Sequence, residues 1–130
     1  MSGPDRTAET GRTAGAVPSK LLSTLGLCAR AGGLVIGTPM VCEALRIPAG
    51  KAGRVLAVLE AEDTSENTHH KLTSKCAYYG VPLYRLAVGT VELARAIGKS
   101  AATAAVGVTH PGLWQALRQH IEATASPSAD

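Results

Sequence analysis

The run RVLAVLE, Arg54 to Glu60, is apolar at nearly every position and passes directly into the polar cluster AEDTSEN. A strand with one wet face alternates between apolar and polar residues, so a strand that does not alternate must be covered on both faces. Its neighbours in sequence read as the helices that could cover it. Ser19 can cap a helix whose Leu21, Leu22, Leu25, Cys28 and Ala29 share a face, and the Gly32-Gly33 pair stops it. LVIG is a short strand. Thr38 reads as the N-cap, and Pro39 as the first-turn proline, of a second helix that ends before Pro48 and buries Val41, Ala44 and Leu45. AEDTSEN starts a third helix from about Ser65 to Tyr79, with Leu72, Cys76 and Tyr79 on its inner face and Gly80 as its stop. VPLYRL is a third strand, Thr90 caps VELARAI, Gly98 ends it, AATAAVGV is a fourth strand, and PGLWQALRQHIEA is the last helix. A helix followed by four strand-helix pairs predicts an α/β fold with helices on both faces of a sheet.

The folded unit spans residues 19–124, with 1–18 and 125–130 expected as flexible tails because they lack apolar periodicity. At 45% apolar content one domain can bury a core. With no Phe and one Trp that core must be Leu, Val, Ile and Ala, which suits helices on a sheet. No run approaches the ~18 apolar residues of a membrane span, and MSGPDRTAET lacks the apolar centre of a signal peptide, so a cytoplasmic location is expected. Cys28, Cys42 and Cys76 are widely spaced among apolar neighbours and read as reduced, buried thiols. Residues 19–124 hold 11 Lys/Arg against 7 Asp/Glu, a balance that permits an anionic partner without demanding one.

No enzyme signature is present: neither a nucleophile elbow, nor a phosphate-binding Gly-x-x-x-x-Gly-Lys-Ser/Thr loop, nor a His-x-x-x-His zinc pair. Catalytic residues, cofactor and metal are therefore expected to be absent. His69 and His70 are adjacent on a helix, point about 100° apart, and read as solvated. Glu62, Asp63 and Glu66 at a helix start complement its dipole. The dispersed bases Lys20, Arg30, Lys51, Arg54, Lys71, Lys75, Arg95 and Lys99 would mark an anion site only on convergence, above all with Lys20, Arg30, Lys51 and Lys99 around Gly37. Tyr78, Tyr79 and Tyr84 lie in apparent core segments. Any nucleic-acid binding would then use helix starts, backbone amides and Lys/Arg rather than stacked aromatics.

Three segments in order resemble one family. GTPMVCEAL is similar to a Gly-Thr-Asn-Glu-x-x-Lys-Ala helix start, VLAVLEAEDTSEN to an apolar strand ending in Ala-Glu-Asp, and AIGKSAATAAVGV to a Gly-led loop and final strand. The family is that of ribosomal protein L7Ae and its kink-turn RNA-binding relatives, with the likeness nearest to its short bacterial YlxQ-like branch. The resemblance implies a three-layer αβα sandwich with a four-stranded mixed sheet and about five helices. It also implies RNA contact by Gly37, Thr38, Pro39, Met40 and Glu43, a second lip at Lys99, Ser100 and Ala101, and an adjacent loop shaped by Glu62 and Asp63. Pro39 stands where the family has an amide, Met40 where it has a carboxylate, and Glu43 where it has Lys. The function expected is that of a monomeric, non-enzymatic RNA-binding protein of the translation apparatus. It would be ribosomal or ribosome-associated, bind kink-turn-like structured RNA such as rRNA, and have translation proteins as further partners. The alternative is a protein-interaction module that keeps the fold but has lost kink-turn recognition, with Met40 as its apolar contact.

Overall fold

A computed structural model describes residues 19–124; the expected tails at 1–18 and 125–130 lie outside the described residues. The elements alternate as their periodicities require. They are α1 (Ser19–Arg30), β1 (Leu34–Ile36), α2 (Thr38–Ala44), β2 (Ala57–Glu60), α3 (Glu66–Tyr79), β3 (Leu83–Arg85), α4 (Thr90–Ala96), β4 (Ala105–Val108) and α5 (Pro111–Thr124). The sheet is mixed, in the order β1-β4-β2-β3. β4 is antiparallel to both its neighbours, and β2 and β3 are parallel.

The inner strands β2 and β4 are buried at all their positions, as an unbroken apolar run demands. Only the last four residues of RVLAVLE form strand. Leu56 adds one further bond, from its N–H to the Val108 carbonyl at 2.7 Å, while Arg54 leaves the ladder. Its guanidinium donates to the Ile47 carbonyl at 2.9 Å and to the Tyr79 carbonyl at 3.0 Å, tying the segment after α2 to the end of α3.

Alternation along the strands divides the interior into two layers. Leu59, Val106 and Val108 pack with Leu21, Leu25 and Cys28 of α1, Leu93 of α4, and Leu117 and Ile121 of α5. Val58 and Ala105 face the other way, onto Val41 and Leu45 of α2 and Leu72 and Cys76 of α3. The result is the expected αβα sandwich. Each buried Leu or Val contributes roughly 1.5 to 3 kcal/mol relative to exposure, so these two layers supply most of the driving force. Gly26 is buried in α1 because α4 passes close by: a Cβ there would sit 2.9 Å from the Ala96 carbonyl oxygen.

Two helix starts differ from the sequence expectation by one residue. Gly37, not Thr38, is the N-cap of α2, with φ 94° and ψ 146°, and Gly89, not Thr90, is the N-cap of α4. Thr38 and Thr90 are the first helical residues. The preference of Thr for caps rests on its hydroxyl reaching back to the helix, whereas here the incoming strand imposes on Gly37 a left-handed φ that Thr would resist. Ser19 is likewise helical rather than a cap. α3 begins and ends as expected: Ser65 Oγ accepts the Thr68 N–H at 3.2 Å, and Gly80 closes the helix at φ 70°.

His69 is half-buried and engaged rather than a free surface histidine. Its Nδ1 lies 2.9 Å from both carboxylate oxygens of Glu60, which is wholly buried. Glu60 shares a strand face with Val58 and so points toward α3, where His69 stands on the same helical flank as Leu72 and Cys76. His70 is exposed, as expected. Tyr78 is 81% exposed, which corrects its placement in the core: Leu72 and Cys76 fix the inner face of α3, and Tyr78 falls well away from it.

The three cysteines are free thiols, Cys28 and Cys76 buried and Cys42 half-buried. Burial raises the Cys28 thiol above its ordinary value. Burial, reinforced by nearby Cys42 and Glu60, pushes Cys76 up to about 12. Alkylation of the native protein at pH 8 is expected to modify Cys42 well before the other two, because the thiolate is the nucleophile. Peptide mapping that finds Cys76 modified first would contradict this. Removing His69 strands a buried carboxylate, so His69→Ala should lower urea-measured stability by roughly 2 to 4 kcal/mol. Adding Glu60→Leu should recover most of that loss. A double variant as unstable as His69→Ala would show that the loss does not come from a stranded carboxylate.

Candidate functional site

β4 runs against the other three strands, so the C-terminal ends of β1, β2 and β3 and the N-terminal end of β4 lie together. Four segments therefore meet at one end of the sheet: 37–40, 98–104, 61–65 and 86–90, in that spatial order. Strand ends of this kind are where α/β sheets hold ligands. Glu43 lies just beyond them on α2; the other nine residues expected to form the site fall within them.

Hydrogen bonds sew these segments to one another. The Gly37 N–H donates to the Ala105 carbonyl at 2.9 Å, Ala61 N–H to Ala104 at 2.8 Å, and Glu62 N–H to Val88 at 2.9 Å. Thr103 N–H reaches the Thr90 carbonyl at 3.1 Å, and Lys99 N–H the Ala94 carbonyl at 2.8 Å, so the 98–104 loop is fixed at both ends. Arg85 Nη2 donates to the Glu62 carbonyl at 2.8 Å. Glu62 is thus held by its backbone on both sides while its carboxylate is exposed.

Asp63 serves the structure instead. Gly89 has no side chain to cap α4, and Asp63, far off in sequence, supplies the missing acceptor: Oδ1 takes the Thr90 N–H at 2.8 Å and Oδ2 the Thr90 hydroxyl at 3.4 Å. Glu92 Oε1 completes the helix start by accepting the Gly89 N–H at 3.2 Å. Asp63 and Arg85 set the shape of this surface. Neither pairing is legible in sequence, because each crosses between strand ends that only the sheet order brings together.

The Gly37 to Met40 segment forms one lip. A Cβ on Gly37 would meet nothing closer than Pro39 Cδ at 4.0 Å, so this position needs glycine for its φ and leaves open space beside it. Thr38 and Met40 stand in the first turn, where amides have no intrahelical acceptor, while Pro39 has no N–H. Pro39 and Met40 are exposed, Met40 at 58%. Beside Met40, a shallow groove of about 530 Å³ is lined by Val35, Ala44, Ile47 and Pro48. Glu43 and Arg46 stand at its rim, 3.7 Å apart and both largely exposed, a pair that adds little stability. Lys99, Ser100 and Ala101 are exposed on the facing loop.

The convergence of Lys20, Arg30, Lys51 and Lys99 around Gly37 that would mark an anion site is not formed. Arg30 ends α1 where β1 begins, and Lys51 shares a depression with Thr109 and Pro111 beyond the far end of β4. Both lie at the opposite end of the sheet. Among the described residues no group of three or more His, Cys, Asp or Glu is placed to hold a metal ion, and no helix is long and apolar enough to cross a membrane.

Comparison with known proteins agrees with this architecture. Residues 19–118 match the Ribosomal protein L7Ae/L30e/S12e/Gadd45 family. The RNA-binding protein YlxQ of Bacillus subtilis (strain 168) is 41% identical over 88 residues, 68% of this chain and 81% of that protein. YlxQ of Enterococcus faecium is 35% identical over 80 residues, 62% of this chain and 72% of that protein. A solved protein of unknown function from Bacillus halodurans superposes with a TM-score of 0.69 at 33% identity, over 81% of this chain and 99% of its own. The 15.5kD RNA binding protein of Giardia lamblia shares the fold alone, at a TM-score of 0.64 and 18% identity, over 83% of this chain and 87% of its own. By its helix-first αβα order and by these matches, the chain belongs to the ribosomal protein L7Ae/L30e/S12e/Gadd45 family, in its YlxQ-like branch.

Proposed function

We propose that this protein binds structured RNA, without catalysing a reaction, through the strand-end surface between the Gly37 to Met40 lip and the Lys99 to Ala101 loop. The observation that carries this reading is that the positions corresponding to the family's RNA-contacting residues, Glu43 apart, gather at one end of the sheet, on segments tied together by backbone hydrogen bonds. Segments already fixed lose little freedom on binding. Gly37 allows close approach of a sugar-phosphate backbone, and Glu62 stands on the segment between the two lips and β3. The preferred target is kink-turn-like RNA, and the setting is the translation apparatus in the cytoplasm, with rRNA as ligand and the protein acting as a monomer.

Pro39, Met40 and Glu43 weaken this recognition. Going without one charge-assisted hydrogen bond costs roughly 1.5 to 3 kcal/mol, about tenfold to a hundredfold in affinity, and an acid facing phosphate adds to that cost. A second reading is favoured by the groove beside Met40: an apolar side chain 58% exposed at the mouth of an apolar hollow suits a protein partner.

Titration of a kink-turn RNA and a matched straight duplex over a salt series tests the first reading. Tighter binding to the kink-turn, weakening as salt rises, is expected. Equal and weak binding to both removes the kink-specific claim. Glu43→Lys should tighten kink-turn binding by about tenfold or more and steepen its salt dependence. Met40→Lys separates the readings, since loss of a protein partner with RNA binding kept or improved would favour the second.

A further inference from the structure

The formal charge of +3 is distributed unevenly along the chain. The run from Asn67 to Val91 contains Lys71, Lys75 and Arg85 and no Asp or Glu, while the rest of the chain holds ten Lys/Arg and ten Asp/Glu. That run, which is α3 after its first residue Glu66 together with the strand and loops that follow, thus carries a net charge equal to that of the whole chain. The same run contains all three tyrosines. Arg85 is engaged with the Glu62 carbonyl, which leaves the two lysines of α3 as its unengaged cations.

Lys71, Lys75 and Tyr78 are spaced i, i+4, i+7, so they fall within an arc of about 60° on α3. All three are exposed, Tyr78 at 81%. Neither lysine has a hydrogen bond or ion pair among the described residues. Like charges at i, i+4 disfavour a helix slightly, and no acid stands one turn away on either side to offset them. Tyr78 is not loose: its ring packs edge-on to Tyr79 at 4.8 Å and 88°. The Tyr79 carbonyl is in turn held by Arg54. The flank thus offers two unpaired cations and an ordered aromatic ring within one helical stripe.

We propose that this flank of α3, through Lys71, Lys75 and Tyr78, binds single-stranded RNA, the lysines taking phosphates and Tyr78 stacking a base. The proposal rests on the RNA-binding reading above and extends it. α3 starts at Glu66, immediately after the 61–65 segment of the strand-end surface, and its 14 residues carry the stripe some 20 Å away along the domain. A strand leaving a folded RNA seated on the loops would run along it. An acidic protein surface would also satisfy the lysines, but the stacking ring favours RNA, because every base presents a π-face.

The test uses the full chain and two probes: an oligouridine of about 12 residues, within the length a single small domain tracks, and the kink-turn RNA. The wild type is expected to bind oligouridine in a salt-dependent manner. Lys71→Gln with Lys75→Gln should flatten the log-log salt slope by about 1.4, the value for two phosphates on a single strand. Tyr78→Ala should weaken binding by roughly five- to a hundredfold, while Tyr78→Phe keeps it. Blunt kink-turn RNA should bind all variants alike. Oligouridine binding that is absent, or indifferent to these substitutions, overturns the proposal even where the kink-turn binds well. Oligouridine binding that depends on them upholds it even where kink-specific binding fails. Equal competition by a poly-glutamate peptide, with Tyr78→Ala without effect, also overturns it and assigns the flank to an acidic protein.

Discussion

The structure hangs on β4, the last strand in sequence and an inner strand of the sheet. Val106 sits opposite Ile36 on one side and Leu59 on the other, and among the described residues β1 is joined to the sheet only through β4. Gly107, between Val35 and Val58, sits in close packing: a Cβ there would lie 3.2 Å from Val55 Cγ1, tight enough that the valine would have to shift. The first helix-strand unit and the last strand must therefore come together across most of the chain. Their meeting also places the 98–104 loop beside Gly37, because that loop is what leads into β4.

The strand-end surface divides its work between groups that look alike in sequence. Asp63 and Glu62 are adjacent acids, yet Asp63 is used up as the cap of α4 whereas Glu62 is fixed through its backbone and leaves its side chain free. Gly37 and Gly89 both begin helices, yet Gly37 is required by its φ while Gly89 relies on an acceptor from another loop. The common result is a surface whose segments are tied to one another by backbone hydrogen bonds and whose outward side chains are available. Rigid loops of this kind lose little entropy when a ligand docks.

The elements were legible because each follows from local periodicity: Val41, Ala44 and Leu45 facing in from α2, Leu72 and Cys76 from α3, and an unbroken apolar β2. What local pattern could not supply was anything joined across strands. The Glu60 to His69 contact is invisible in a linear reading, since Glu60 looks like the polar end of a strand and His69 like one of two surface histidines; only the strand's face and the helix's inner flank bring them together. The Asp63 cap and the strand order β1-β4-β2-β3 belong to the same class. Tyr78 was a different kind of miss. The sequence already held the information, because adjacent residues on a helix point about 100° apart and Tyr78 and Tyr79 could not both face the core.

The distribution of charge bears on how recognition would be shared between the two surfaces. Glu43, Glu62, Asp63 and Glu66 stand at or next to the strand-end site, against Lys99, Arg46 and Arg85, of which Arg46 pairs with Glu43 and Arg85 is bonded to a backbone carbonyl. Such a surface gains little from long-range attraction for phosphate and must rely on shape, open backbone and close fit. The flank of α3 has the reverse character, with cations and an aromatic ring but no groups that distinguish one base from another. On the proposed reading, for an RNA that carries a single-stranded extension, the loops supply selectivity and α3 adds salt-dependent affinity. The departures at Pro39, Met40 and Glu43 then remove affinity from a surface where shape remains, while Lys71 and Lys75 supply attraction from a neighbouring one.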